Sequence, residues 1–296
     1  MIRDYLRRAY RTALPLLYAR TNFKLFLKTS LLDIDARLRH MALATDVFSS
    51  VLQPVPIRAP FGKSMLVLAP HQDDEAIGCG GALALQVQAK GGAFVVLLQD
   101  GADEHDAVGM TRQELVLLRN DESRRAAARL GIEPPRILGH ADLAANARAA
   151  TDEVRAIIQD RKADAVFVPF ILDGHPDHRT ANYILGDALR EVDFSVRVFG
   201  YEVWGLCIAN VILAIDAVME RKMEMLACFE FANQALDYAH ATKGLNMYRS
   251  RMLSAGVPGP EGAPAGKYAE CFFEMPREEY VALVDRLRAA EPRTGG

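Results

Sequence analysis

The sequence predicts an α/β protein: a Rossmann-like, mostly parallel sheet with helices on both faces, preceded by an N-terminal helical extension. Three observations carry this. Short continuous apolar runs, such as Met65–Ala69, Phe94–Leu98 and Ala165–Phe170, have the pattern of strands covered on both faces. Stretches of helical period with readable start or stop signals lie between them. The alternation continues along most of the chain, and strand–helix repetition builds a mostly parallel sheet.

Residues 1–60 stand apart as a basic helical extension and linker. Residues 1–40 hold nine Lys or Arg against three Asp. Leu6, Tyr10, Leu14, Leu17, Tyr18 and Phe23 recur near helical spacing, so one or two helices are expected, packed on the main domain or touching anionic lipid. The Pro-rich stretch Gln53–Pro60 closes the extension as a linker.

Residues 61–296 form the main domain. Met65–Ala69 is its first buried strand, and Gly78–Ala89 a helix ended by Gly91 and Gly92. Phe94–Leu98 follows as a strand. Thr111 and Glu114 make a capping box for a helix to Leu130, which Gly131 stops. Arg136–Leu138 is a short strand, and Thr151 caps a helix to about Arg161. After the strand Ala165–Phe170, a helix runs from about His178 to Arg190. Val196–Trp204 and Val211–Ile215 are further strands, and Asp216 caps a helix to about Phe231. Ala255–Gly266, rich in Gly, Pro and Ala, is a loop, either a lid or a surface excursion. Tyr268–Glu274 is the last strand, and Pro276–Ala290 the last helix.

Composition narrows the function. A net charge of −3 argues against a protein built around nucleic acid. The four cysteines form no C-x-x-C pair and fit free thiols in a reducing compartment. Charges interrupt every apolar stretch before it reaches membrane-spanning length, and no signal peptide is evident, so a cytoplasmic protein is expected.

Two segments carry the chemistry. His71-Gln72-Asp73-Asp74-Glu75 follows the first buried strand, and His175-Pro176-Asp177-His178 follows Ala165–Phe170. Both fall at the carboxyl ends of expected parallel strands, where ligands bind in such sheets. Metal-dependent hydrolysis needs three protein ligands, an open position for water, and a carboxylate off the metal to take the proton. His71 and Asp74, three apart in a strand-to-helix turn, can converge on one point, with His178 as third ligand. Asp73 between them points elsewhere and suits the base. His175 faces the same cleft as acid or oxyanion donor, Asp177 can orient a histidine, and Glu75 can hold His71 or the turn. Gly78, Gly80 and Gly81 let the helix start close to the site, and equally let it pack closely on the sheet.

Weaker candidates surround this pair. Asp100, Asp103, Glu104, His105 and Asp106 follow the second strand and suit either sugar hydroxyls or a solvated loop. His140 and Asp142 follow the next strand with the same two readings. Arg119 and Glu122 fit an ion pair in the long helix, at the surface or behind the site. Trp204, beside Glu202 at a strand end, either stacks on a sugar ring or belongs to the core.

Ala69-Pro70-His71-Gln72-Asp73-Asp74-Glu75, continuing to Gly81, together with Gly174-His175-Pro176-Asp177-His178-Arg179-Thr180-Ala181, resembles the LmbE/PIG-L-like deacetylases. The similarity extends to Arg119–Gly131, Tyr201–Trp204 and Tyr268–Phe272, and spans roughly residues 63–275. The resemblance implies a zinc-dependent enzyme, with Fe2+ as the alternative metal, that removes an acetyl group from N-acetylglucosamine units of small or lipid-linked glycoconjugates. Carried over by motif, His71, Asp74 and His178 hold the metal, Asp73 is the general base, and His175 stabilises the oxyanion or protonates the amine. Gln72 stands where many members carry proline, and Gly205-Leu206-Cys207 where related sequences carry Thr-Pro. Three other readings are a metal-binding but non-catalytic carbohydrate- or partner-binding member, a hydrolase of non-sugar amides or esters, and a phosphoacceptor domain using Asp73 and Asp74. The lipid-binding reading of residues 1–40 adds peripheral membrane contact.

Overall fold

The structure is a computed structural model that describes residues 54–103, 105–254 and 266–290. The expected N-terminal helices in residues 1–53, Glu104 and most of the 255–266 loop lie outside them. One eight-stranded sheet organises the chain. Its strands are β1 (Val55–Ile57), β2 (Ser64–Ala69), β3 (Gly92–Gln99), β4 (Arg136–His140), β5 (Ala165–Pro169), β6 (Arg197–Tyr201), β7 (Val211–Ala214) and β8 (Ala269–Pro276). The spatial order is β1-β7-β8-β6-β5-β2-β3-β4. All pairings are parallel except those of β8, which runs antiparallel to both β6 and β7. This is the mostly parallel α/β architecture that the alternation predicts.

The side chains of β2, β3 and β5 alternate between two hydrophobic layers. Leu66, Leu68, Val96, Leu98, Val166 and Val168 enter one, and Met65, Val67, Val95, Leu97 and Phe167 the other. Helices α3 (Ala147–Arg161), α4 (Pro176–Leu189) and α8 (Arg277–Ala290) cover the first layer through Val154, Ile158, Ile184, Leu185, Leu283 and Val284. Helices α1 (Asp74–Gln88), α2 (Arg112–Leu130) and α5 (Met219–Leu226) cover the second through Ile77, Leu83, Leu130 and Met225. Two covered faces explain why the central strands carry unbroken apolar runs.

Several boundaries differ from the expected ones, for identifiable reasons. Val55–Ile57, expected as linker, pairs with Val211–Leu213; a proline is tolerated there because β1 is an edge strand. Helix α1 begins four residues earlier than expected, at Asp74, because Asp73 turns the chain with φ 115°. Thr151 lies inside α3, where its hydroxyl donates to the Ala147 carbonyl instead of capping. The stretch after Asp216 divides into a 3-10 turn (Asp216–Val218), α5 and a short α6 (Glu230–Ala235). Helix α7 (Tyr238–Ser254) has no counterpart in the sequence reading. The capping box of α2 is present as expected, with Gly131 left-handed at its end. No helix of the described residues is long and apolar enough to cross a membrane.

The chain passes from β2 outward through β3 to β4, then returns to lay β5 on the other side of β2. That reversal opens a crevice beyond the carboxyl ends of β2 and β5. The turns carrying His71–Asp74 and Asp173–His178 both lie there.

Candidate metal centre

The turn after β2 is built around an unfavourable backbone. Asp73 has φ 115°, a region that costs an L-residue of order 1–3 kcal/mol and persists only where the surroundings enforce it. Its N–H donates to Glu75 Oε2 at 3.1 Å. Arg119 holds it from outside, donating to the Gln72 carbonyl at 2.7 Å and the Gly101 carbonyl at 3.2 Å, with its guanidinium 3.4 Å from Asp73 Oδ2. Asp73 and Asp74 thereby point in different directions from adjacent positions.

Asp74 faces the histidines. Its Oδ2 lies 3.2 Å from His71 Nδ1 and 3.3 Å from His178 Nε2. Ligands about 2.0–2.1 Å from a tetrahedral zinc sit roughly 3.3 Å apart, so both separations from Asp74 Oδ2 are those of atoms sharing an ion. His71, His175 and His178 also form a cluster in which one ring nitrogen from each lies within 4.8 Å of the others. Asp74 and His175 thus each complete a trio with His71 and His178.

The outer atoms support the same reading. His71 Nε2 is 3.2 Å from Asp177 Oδ2, and His178 Nδ1 is 3.3 Å from Asp173 Oδ1. A carboxylate behind each histidine is the usual arrangement for metal-binding imidazoles. His178 is fully buried, and neither ring nitrogen is in hydrogen-bonding alignment despite these close carboxylates. Such nitrogens are costly without a partner, and a cation held with Asp74 provides one for Nε2. The electrostatics agree. Burial opposes charge on His71, but Asp177 and Asp74 outweigh it and raise the ring to about 9. Burial likewise opposes charge on His178, and Asp74 and Asp173 raise it to about 10. For Asp74, burial works upward, but His178 and His71 hold it well below the usual carboxylate range. The site therefore favours positive charge, and these residues fit a divalent cation.

Asp73 and His175 stand outside the close trio of His71, Asp74 and His178. Burial pushes Asp73 up to about 7, against the pull of Arg119. His175 caps α4, and its Nδ1 accepts the Asp177 N–H at 3.2 Å. That bond fixes the neutral tautomer, leaving Nε2–H as the donor. Burial, then His71 and His178, lower its pKa.

A cleft of about 260 Å³ opens over these groups. Its floor holds His71, Asp73, Asp74, His175 and Asp177, and its walls include Arg119, Asp103, Trp204, Phe231 and Tyr238. Trp204 is 57% exposed and meets Tyr238 edge-on, with ring centroids 5.9 Å apart. Arg119 lies over Phe231. Gln72 points away from the histidines, donating to the Asp100 carbonyl and to Asn120 Oδ1, both at 3.1 Å.

Other expected residues have different places. Asp100 is held in a two-pronged pair with Arg112, and Asp142 caps a turn through the Ala145 N–H; neither lines the cleft. His140 pairs with Glu153 at 2.8 Å. Glu122 accepts the Phe231 N–H instead of pairing with Arg119. Glu202 is buried against Arg249. The glycines of α1 serve close packing: a Cβ on Gly78 would come within 2.2 Å of Tyr201, and one on Gly81 within 2.9 Å of Glu270. The residue that sequence reasoning passed over is Asp173. Its one signal is a carboxylate at a strand end, five residues before His178.

Fold and site together define a class: an α/β protein with a cluster of metal-ligand type at the switch point of a mostly parallel sheet. Residues 66–189 match the family described as "PIG-L: GlcNAc-PI de-N-acetylase". Diacetylchitobiose deacetylase of Thermococcus kodakarensis is 30% identical over 147 residues, which are 47% of this chain and 55% of that protein, so the match spans about half of that relative. The solved N,N'-diacetylchitobiose deacetylase of Pyrococcus horikoshii superposes with a TM-score of 0.64 at 19% identity, over 80% of this chain and 92% of the other. GalB, the 4-carboxy-2-hydroxymuconate hydratase of Pseudomonas putida KT2440, superposes at 0.62 and 19% identity, over 72% and 96%. These two structures establish the likeness of fold.

Proposed function

We propose that this protein is a metal-dependent N-deacetylase acting on an N-acetylated amino sugar or glycoconjugate, with His71, Asp74 and His178 as ligands. The observation that carries this is the meeting of Asp74 with two carboxylate-backed histidines at 3.2–3.3 Å, beside a separately oriented Asp73. The hydratase neighbour shows that the fold hosts other chemistry. The choice of reaction therefore rests on the site and on the likeness to the Thermococcus deacetylase.

A zinc ion held there would lower the pKa of a water and polarise an acyl oxygen. The chain's own residues supply the rest. Asp73, on the cleft floor and near neutrality in its pKa, takes the proton of the attacking water. His175 presents Nε2–H to the developing oxyanion, and the proton that Asp73 took from the water passes to the leaving amine. Arg119 holds the turn on which Asp73 stands. Trp204, exposed on the wall, offers an apolar face to the sugar ring.

Acetate release from a panel of N-acetylated sugars, with metal analysis of the purified protein, tests the proposal. Non-sugar amides and esters belong in the panel; turnover confined to them would replace the amino-sugar assignment. His178→Ala should weaken zinc binding by more than the ~10²-fold that loss of even an outer partner can cost. Equilibrium dialysis measures this, and wild-type zinc affinity in that variant would remove His178 from the ligand set.

The basic residues of segment 1–40 further support a cytoplasmic location at an anionic membrane surface, where lipid-linked sugars are reached. The full chain is expected to float with anionic liposomes, and a chain lacking residues 1–53 to remain at the bottom of the gradient. Equal behaviour of the two counts against membrane contact.

A further inference from the structure

We propose that Asp173 is a positioning residue that couples the histidine cluster to the Trp204 wall of the cleft, so that cation binding at His178 orders the surface facing the substrate. The inference rests on the metal-dependent reading above and adds a link between metal and wall.

Asp173 is 1% exposed and divides its two oxygens between two structures. Oδ1 accepts the His175 N–H at 3.0 Å and stands 3.3 Å from His178 Nδ1. Oδ2 accepts the Trp204 N–H at 3.0 Å and the Gly205 N–H at 2.9 Å. One rigid carboxylate therefore joins the loop that starts α4 to the loop that follows β6. The second loop lies directly against the first, since a Cβ on Gly205 would come within 3.3 Å of Asp173 Cα.

The physical route is short. A cation at Nε2 takes the place of the proton there and fixes the ring, so that Nδ1–H is held toward Asp173. The fixed donor brings Asp173 Oδ1 into alignment with His178. Because the carboxylate is planar and buried, Oδ2 turns with Oδ1, and the two N–H groups on Oδ2 carry the Trp204 backbone along. The coupling is reciprocal: a displaced Trp204 loop weakens the cation site by the factor with which the cation orders the loop.

Trp204 is the chain's only tryptophan, so its emission reports this wall without labelling. The experiment uses the full chain, stripped with a chelator and titrated with zinc alone. Bound zinc is read by equilibrium dialysis and Trp204 by fluorescence. In the wild type, emission should change and should saturate together with one bound zinc. Asp173→Asn should bind zinc about 10–100-fold more weakly. Even at saturating zinc it should lose most of the emission change, with an unaltered circular dichroism spectrum. Zinc saturation of the wild type with unmoved emission overturns the coupling and leaves the metal reading standing. Absence of zinc uptake by the wild type overturns both. A full emission response in a folded Asp173→Asn also overturns the coupling. If that variant does not fold, Gly205→Ala carries the test, because it keeps the carboxylate and crowds its Cα. Weaker zinc binding with an altered emission response supports the coupling, and wild-type values for both overturn it.

Discussion

Asp73→Ala should lower acetate release by about 10²–10⁴-fold, the range for loss of a positioned general base, while zinc content stays at the wild-type level. The separation follows from geometry. Asp74 Oδ2 lies 3.2–3.3 Å from the two histidines, whereas Asp73 sits across the turn beside Arg119 and reaches them only through longer-range electrostatics. Backbone strain must be controlled for, because Asp73 has φ 115°, and alanine tolerates that no better than aspartate. Asp73→Asn keeps a residue type that accepts such angles more readily, removes the base, and should be just as inactive. Full activity in either variant at unchanged zinc content would sink the assignment. Loss of zinc alongside activity would instead place Asp73 among the ligands.

The second large effect lies behind the site. Lys222 and Glu270 form a buried pair at 2.7 Å, 0% and 2% exposed, under the middle of α1. Glu270 also accepts the Gly81 N–H at 2.7 Å and the Ala82 N–H at 2.8 Å, and Lys222 donates to the Ile77 carbonyl at 2.8 Å. Glu270→Ala would leave an ammonium buried without its counter-charge. The expected loss is about 3–5 kcal/mol, the range for breaking such a pair from one side. For a domain of this size that is a fall of roughly 6–20 °C in melting temperature. Lys222→Met with Glu270→Gln removes both charges and keeps an acceptor for the helix. Thermal melts should find this double variant less destabilised than the sum of its single changes. Strict additivity would show that the two side chains stabilise α1 independently.

Much of this arrangement is legible in the sequence because it follows from periodicity and punctuation. Unbroken apolar runs mark β2, β3 and β5, Thr111 and Glu114 mark the start of α2, and the two short motifs mark the crevice. The illegible parts have physical reasons. Helix α7 turns a polar stripe inward: Thr242, Asn246, Arg249 and Ser250 are all buried. Asn246 donates to the Ala269 carbonyl, and Arg249 pairs with Glu202. A hydrophobic pattern cannot reveal a helix whose buried face is held by hydrogen bonds and an ion pair. Strand β1 is hidden by Pro56, which its edge position accepts. Asp173 is hidden because its partners, Trp204 and Gly205, lie 31 and 32 residues further on. That Asp73 points away from Asp74 follows from the motif, but the φ of 115° by which it does so is encoded in no residue pattern.

The crevice is assembled from turns that are far apart along the chain; the contact between His71 and Asp177 spans 106 residues. A nascent polypeptide that has emerged only as far as β4 already holds His71, Asp73 and Asp74, yet has nothing to set opposite them. His178 follows β5 in the chain, so the residues proposed as ligands come together only once β5 has docked beside β2. On the metal-binding reading proposed above, a fragment that ends at β4 would lack His178 and could not assemble the proposed site, which needs the turn after β5.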